Sequence, residues 1–222
     1  KVFRNETATK QFSNRIKEFD QLETHFFVKN ESATLFIYFK KMLNRHYKWL
    51  VLNGIPPSKL LLEKIKGSDK LSHYSKFCVD ILFISSLGNI ELEGISVRGG
   101  FDLKQHSKYS NCCFKFFDKK KGSFYFPYVI EPSIGLDRLI LAILECSLLY
   151  KRYSCRRVTY FFNFPINITP YKVSIFPLLK NNSFIKIKSL KVFTNLNKKL
   201  NIFYSFEGSI GKRYLKSDNM GI

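Results

Sequence analysis

The chain has 222 residues, 45% of them hydrophobic, with a formal net charge of +20 and a pI of about 9.8. That length and apolar content predict a globular protein of two domains with a real core. No apolar run approaches the roughly 20 residues of a bilayer-spanning helix, and residues 1–30 lack the charged, apolar and small-residue order of a secretory signal.

The basic excess points to a polyanionic partner such as nucleic acid. AT-rich codons also enrich Lys, Asn, Phe, Ile and Tyr, so part of the charge needs no such partner. Five cysteines (Cys78, Cys112, Cys113, Cys146 and Cys155) form an odd set without a CxxC pair. They argue against a disulfide framework or zinc site and for a reducing compartment, cytoplasmic or organellar.

In chain order, residues 1–28 read as a hairpin: strand KVFRNE, an eight-residue loop TATKQFSN, and strand RIKEFDQLETHFFV. Strand parity puts Arg15, Lys17, Phe19, Gln21 and Glu23 on one face, and Arg4 with Glu6 on one face of the first strand. Such a face has two readings. One is a pocket wall, with cations for phosphate, a ring for a base and a carboxylate for an ammonium group; the other is a solvated face of cross-strand ion pairs. From Phe19 to Glu23 the strand advances roughly 13 Å, about the reach of a nucleotide carrying a small group on its phosphate.

Ser32 then caps a helix in which Phe36, Phe39, Leu43, Tyr47 and Leu50 recur at helical steps, and NGIPP ends it. Trp49 is expected in the core and His46 at a solvated edge. Strands CVDILFI and NIELEGISV follow. Glu91 and Glu93 share a face by parity, which suits either a Mg²⁺ site beside phosphates or a charged exterior; Arg98 is a further candidate anion contact.

FYFPYVIE leads into EPSIGLDRLILAILE, where an arginine, Arg138, stands in the first turn of a nearly all-apolar helix. Helix N-termini favour acids, so Arg138 is expected to face an anion. A structural ion pair to Glu131 is the alternative; Asp137 is a poor partner because adjacent helical residues diverge. Residues 151–169 read as a linker. From 170 a strand (KVSIFPLL), a weak helix near 184–199, a strand (NIFYSFE) and a helix opened by GSIGKRY predict a small α/β domain. There is no P-loop, GxSxG or zinc-type His spacing.

FRNE (3–6), RIKEFDQLE (15–23), KLSHYSKFCVDI (70–81), ELEGISVRGGFDLKQHS (91–107) and YVIEPSIGLDR (128–138) together resemble the homodimeric glycyl-tRNA synthetases, a class II aminoacyl-tRNA synthetase family. GSIGKRY with Asp218 and Gly221 adds to the resemblance, which weakens at 108–126 and 150–169. It implies an α+β fold: a class II antiparallel β-sheet flanked by helices over 1–150, without its N-terminal part and first motif, a linker over 151–169, and an incomplete α/β anticodon-binding domain over 170–222.

By the same resemblance ATP is held by Arg4, Asn5, Glu6, Asn14, Arg15, Ile16, Lys17, Glu18 and Phe19 of the second class II motif. Glu91 and Leu92 join them, with Gly135, Leu136, Asp137 and Arg138 of the third motif. Arg4 binds the α-phosphate and Arg138 packs over adenine near the phosphates, so these two are the catalytic candidates. Glu6 meets the adenine edge, Arg15 the γ-phosphate, Phe19 stacks on the base, and Glu91 lies near Mg²⁺. Phe19, Asp20, Gln21, Leu22 and Glu23 line the glycine end with Glu131, Pro132, Ser133, Ile134 and Gly135; Glu23, Glu131 and Ser133 surround its ammonium group.

The implied activity is ATP-dependent glycine activation and transfer to tRNA(Gly), in a protein that is homodimeric at full length and has no membrane association. Lys17, where the family usually has arginine, keeps charge but loses the bidentate fork; TATK and GISVRGG also depart from the family pattern. The chain opens with Lys and is read as an internal portion of the enzyme, with little aminoacylation of its own. A non-catalytic synthetase-like paralogue that binds RNA or protein is the alternative. Retention of Arg4, Glu6, Phe19, Glu23, Glu131 and Arg138 favours the enzyme, and the EPSIG and FDQLE details disfavour a Thr, Pro or Ser specificity.

Overall fold

The computed structural model describes residues 1–7, 15–29, 31–65, 75–154 and 157–222. They form two compact units, one of residues 1–51 and 55–142, the other of 52–54 and 143–222. The mixed architecture of antiparallel strands and helices agrees with the expected fold class.

The first unit begins with two short strands, β1 (Val2–Phe3) and β2 (Glu18–Phe19), paired antiparallel. β3 (Gln21–Glu23) and β4 (Phe26–Val28) follow, then helix α1 (Ser32–Leu52). β5 (Leu60–Ile65), β6 (Ser75–Ser85) and β7 (Gly88–Arg98) lead to helix α2 (Phe101–Ser110). A small hairpin, β8 (Phe116–Asp118) and β9 (Ser123–Tyr125), precedes β10 (Tyr128–Gly135), which runs directly into helix α3 (Leu136–Ser147). The main sheet has the order β3-β10-β7-β6-β5, with β4 also on β10, and all its pairings are antiparallel.

The single strand expected over 15–28 begins as regular strand only at Glu18 and is then broken twice. One break is at Asp20. The other, Thr24–His25, lies opposite Glu131 and Pro132 of β10, as the flanking pairs Glu23↔Ser133 and Phe26↔Ile130 show. Pro132 has no N–H to give the ladder, and only its carbonyl is used, accepting from Thr24 N at 3.0 Å.

β10 alternates cleanly. Ile130, Pro132 and Ile134 are buried, while Glu131, Ser133 and Gly135 lie on the other face, only partly covered. The core is built from Ile81, Phe83, Ile95, Val97 and Ile130, all fully buried, together with Leu35, Phe39 and Leu50 of α1. Phe39 meets Phe77 edge-on at 4.7 Å. The buried α1 stripe therefore runs through 35, 39 and 50, with His46 and Tyr47 both half-buried and Phe36 exposed. This reverses two expectations: Trp49 is 41% exposed, and His46 turns inward onto Glu93 at 2.5 Å. The helix stops where Gly54 takes φ +97°, and Ile55 N reaches back to Leu50 O at 3.3 Å, the six-residue closure of a Schellman turn.

Parity also fails at Glu91 and Glu93. In the β6–β7 ladder Ile81 opposes Glu93 and Leu82 opposes Glu91, leaving Leu92 as a bulge residue. Glu91 is exposed while Glu93 is 1% exposed. The two acids lie on opposite faces.

In the second unit, β11 (Leu148–Ser154) and β12 (Arg157–Phe162) pair antiparallel. The stretch read as a linker over 151–169 is thus largely a hairpin, and the division between units falls at residue 142, inside α3. β13 (Val173–Ile175), α4 (Ser183–Leu196) and β14 (Ile202–Tyr204) form a parallel β-α-β unit, followed by α5 (Ile210–Asn219). Asn182 caps α4 and Ser209 caps α5 through their side chains. Arg213 of GSIGKRY is buried and donates to Pro177 O at 2.6 Å. Gly221, at φ +72°, lies against Phe164, whose ring leaves no space for a Cβ.

Candidate active site

The site is assembled around the start of α3. Leu136 N donates to Asp20 O at 2.9 Å, and Asp20 N donates back to the Asp137 carboxylate at 3.2 Å. An acid at the second helical position satisfies a free N–H and suits the positive helix terminus. These bonds fasten the β2–β3 corner to the helix mouth. They bring residues more than a hundred positions apart into one cavity of about 180 Å³.

Its lining comprises Arg4, Glu6, Arg15, Ile16, Phe19 and Gln21 from the N-terminal segment, Glu91, Leu92 and Gly94 from β7, and Ser133, Gly135, Asp137 and Arg138 from the β10–α3 junction. The Arg4 guanidinium lies 5.3 Å from the centroid of the Phe19 ring, a cation–π distance. Its strand is held in place by Arg4 N donating to Lys17 O at 2.8 Å. Arg15 Nε pairs with Glu6 Oε2 at 2.8 Å. Arg138 Nη1 donates to Glu91 O at 2.8 Å and stands 3.8 Å from Glu91 Oε2. Among the described residues Glu91 is thus an anion that faces Arg138, and Asp137 accepts from Asp20 N. Gln21 Nε2 donates to Ser133 Oγ.

Along the same face of β10 the next odd residue is Glu131, about 7 Å beyond Ser133 by strand geometry. It pairs with Arg98 and, at 3.2 Å, with His25 Nε2; His25 is also 3.9 Å from Glu23. Arg98 Nε meets Asp102 at 2.8 Å. This is a second, contiguous patch of paired charges.

Asp80, paired in register with Gly94 on β7, has its carboxyl raised above the ordinary range by burial, with Glu91 and Glu63 adding to the effect. Burial, aided by Asp80, pushes the Cys78 thiol up to about 12. Cys78 is thus a poor nucleophile.

No protein-family model matches the chain. Relatives match over its whole length. It is 36% identical to glycine–tRNA ligase of Mycoplasmopsis synoviae over 222 residues, covering 48% of that protein, and 37% identical to the Borrelia garinii glycine–tRNA ligase, covering 49%. The Ureaplasma parvum glycine–tRNA ligase is 34% identical, with 46% covered. Over its whole length the chain is similar to these glycine–tRNA ligases. It spans about half the length of the curated relatives it matches. Among solved structures, Giardia lamblia prolyl-tRNA synthetase in complex with prolyl-adenylate superposes with a TM-score of 0.68 at 14% identity, over all of this chain and 42% of that one. At that identity the likeness shows the class II fold, not the amino acid.

Every cavity residue except Gly94 is among those expected from the family resemblance. Gly94 serves by lacking a side chain: a Cβ there would stand 3.3 Å from Asp80 Oδ1 and 3.6 Å from Glu91 Oε1. Its place directly after ELE was the available signal. Other expected residues lie off the cavity. Asn5 and Lys17 are exposed, and Glu18 and Asp20 are bridged by Lys1 at 3.5 and 3.2 Å. Leu22 is exposed, Pro132 and Ile134 face the core, and Leu136 begins α3. Glu23 and Glu131 belong to the adjoining charged patch. Asn14, and residues 70–74 of KLSHYSKFCVDI, lie outside the described residues. His25 and His46 carry interactions that the sequence reading assigned to neither.

Proposed function

We propose that the chain carries the ATP- and glycine-activating site of a glycine–tRNA ligase, together with part of its tRNA-binding region. One observation carries the proposal: Arg4, Phe19 and Arg138, distant in sequence, open onto one cavity whose floor continues through Ser133 toward Glu131. A ring and a guanidinium suit a purine, two further guanidinia suit phosphates, and acids at the far end suit a small ammonium group.

In the proposed reaction a glycine carboxylate oxygen attacks the α-phosphorus of ATP, the bond to the β-phosphate oxygen breaks, and pyrophosphate leaves, giving glycyl-adenylate. A terminal ribose hydroxyl of tRNA then attacks the glycyl carbonyl and AMP leaves. Positioning and charge neutralisation carry such chemistry without an enzyme nucleophile. Phe19 and Arg138 hold the base, and Arg4, steadied on Phe19, faces the α-phosphate. Arg15 leaves Glu6 for the outer phosphates, and Glu6 is then free to accept from the adenine edge. Glu23, Glu131 and Ser133 receive the ammonium group. Glycine is selected sterically, because withheld contacts alone give only about 1–3 kcal/mol per methylene.

Mg²⁺ fits the site as a phosphate-borne ion. Among the described residues no group of three or more His, Cys, Asp or Glu could hold a metal, but Glu91 supplies the one carboxylate such an ion takes beside phosphates and water. Bound there, it would neutralise phosphate charge.

The β-α-β unit with α5 is proposed as part of an anticodon-binding domain for tRNA(Gly), the complete protein as a homodimer, and its compartment as the cytoplasm. No described helix is long and apolar enough to cross a membrane. Glycine-dependent ATP–pyrophosphate exchange by the complete gene product tests the proposal: exchange with glycine and not with alanine, serine or proline is expected. Exchange with another amino acid would overturn the specificity, and no exchange would move the protein to the non-catalytic class.

A further inference from the structure

Glu93 is out of place on the core face of β7. Its neighbours there, Ile95 and Val97, and its cross-strand partner Ile81 are fully buried and apolar, and Glu93 itself is 1% exposed. Removing a carboxylate from water costs several kcal/mol even after relaxation, so an aliphatic residue would serve stability at least as well. What Glu93 has instead is a directional partner on another element: His46 Nδ1 of α1, 2.5 Å from Oε1. Neither Glu93 oxygen finds a regularly oriented hydrogen-bond donor among the described residues, which leaves this close contact as the feature that locates the carboxyl group.

The location matters because of the bulge. With Leu92 as the extra residue, Glu93 points to α1 while the flanking Glu91 and Gly94 line the cavity. Without the bulge, strand parity returns and residues on one side of it exchange faces. Either Glu93 is drawn to the cavity, or Glu91 is drawn into the core. In the second case Arg138 loses both the Glu91 carbonyl at 2.8 Å and the carboxylate at 3.8 Å. A buried polar pair is a weak source of stability but can discriminate between registers, since the alternatives part the carboxyl group from its partner.

We propose that Glu93 and His46 are positioning residues for the nucleotide site: their contact across the core pins the β7 bulge and so aims Glu91 at Arg138. The proposal rests on the reading of the cavity as an ATP site.

The test is the double variant His46→Leu/Glu93→Leu in the complete gene product, with thermal stability and ATP dissociation constant both measured. Replacing a buried pair by apolar residues is commonly neutral or stabilising, so the melting temperature is expected to hold, while ATP binding weakens about tenfold and the KM for ATP rises more than that for glycine. In an Arg138→Ala background the same double change should have no further effect on ATP affinity, because Arg138 is the residue it acts through. If the leucine pair does not fold, His46→Phe/Glu93→Ala keeps the core volume on the helix side and carries the same expectation. A folded double variant with parental ATP affinity, or an undiminished effect without Arg138, overturns the proposal. A parent that fails to bind ATP refutes the underlying reading and this inference with it; an ATP-binding parent beside an unaffected variant refutes this inference alone.

Discussion

Phe19→Ala removes the platform on which the proposed site depends. The ring lies within cation–π distance of Arg4, 5.3 Å from guanidinium carbon to centroid, and forms part of the cavity wall with Arg138. Losing an aromatic ring beneath a base costs about 1–3 kcal/mol, a weakening of ATP binding of about 5- to 150-fold at about 1.4 kcal/mol per decade. Arg4 loses its stacking partner as well, worth about 0.5–1 kcal/mol at a solvent-accessible position. Arg4→Ala and Phe19→Ala should therefore be non-additive by about that amount in a double-mutant cycle. Titration calorimetry of ATP into parent, Phe19→Ala, Phe19→Tyr and the Arg4 variants supplies all the terms. Phe19→Tyr is expected to bind nearly as the parent, since the face of the ring is kept. Parental ATP affinity in Phe19→Ala, with the fold intact by circular dichroism, would refute base stacking at this position.

Gly94→Ala, with its new methyl 3.3 Å from Asp80 Oδ1 and 3.6 Å from Glu91 Oε1, should raise the KM for ATP several-fold while moving stability by less than about 1 kcal/mol; steady-state exchange kinetics and a melting curve separate the two. Because burial raises the Asp80 carboxyl, its ionised form opposes folding: the stability is complete below the ordinary carboxylate range and is lost as pH rises through the raised value. Asp80→Asn should then melt higher than the parent at pH 7, with the advantage shrinking toward pH 4; an advantage that grows in acid would contradict the burial effect. Cys78, its thiol at about 12, should resist iodoacetamide at pH 8 over a period in which the exposed Cys112 and Cys113 are alkylated, as read by peptide mass spectrometry.

The parts of the site written in consecutive residues were legible. EPSIGLDR gives a strand, its end and a helix start in eight letters, and an arginine in the first turn of an apolar helix stands out against helix electrostatics. Arg15, Phe19 and Gln21 could be grouped by alternation and do share the cavity wall. Alternation failed wherever a partner strand intervened. Pro132, more than a hundred residues away, interrupts the ladder opposite Thr24 and His25 and so ends the strand just after Glu23. The bulge at Leu92 belongs to the pairing of β7 with β6, and nothing in ELEG alone separates it from a regular strand. For α1, a stripe one position away fits the apolar residues almost as well; choosing between them requires knowing that Glu93 waits across the core for His46. The hairpin over 148–162 was hidden by its basic residues, since KRYSCRR reads as loop composition even though Leu148, Tyr150, Tyr160 and Phe162 keep the period of two.

The central claim is that one nucleotide occupies the space between Arg4, Phe19 and Arg138 while a glycyl group points along β10 toward Glu131. A crystal structure of the complete gene product with a non-hydrolysable glycyl-adenylate analogue tests it most directly. The account predicts adenine between the Phe19 ring and the Arg138 guanidinium, the phosphate mimic within hydrogen-bonding distance of Arg4, and the glycyl amine at Ser133, Glu131 or Glu23. An analogue bound in another cavity, or in this one with the base turned away from Phe19 and Arg138, would contradict it.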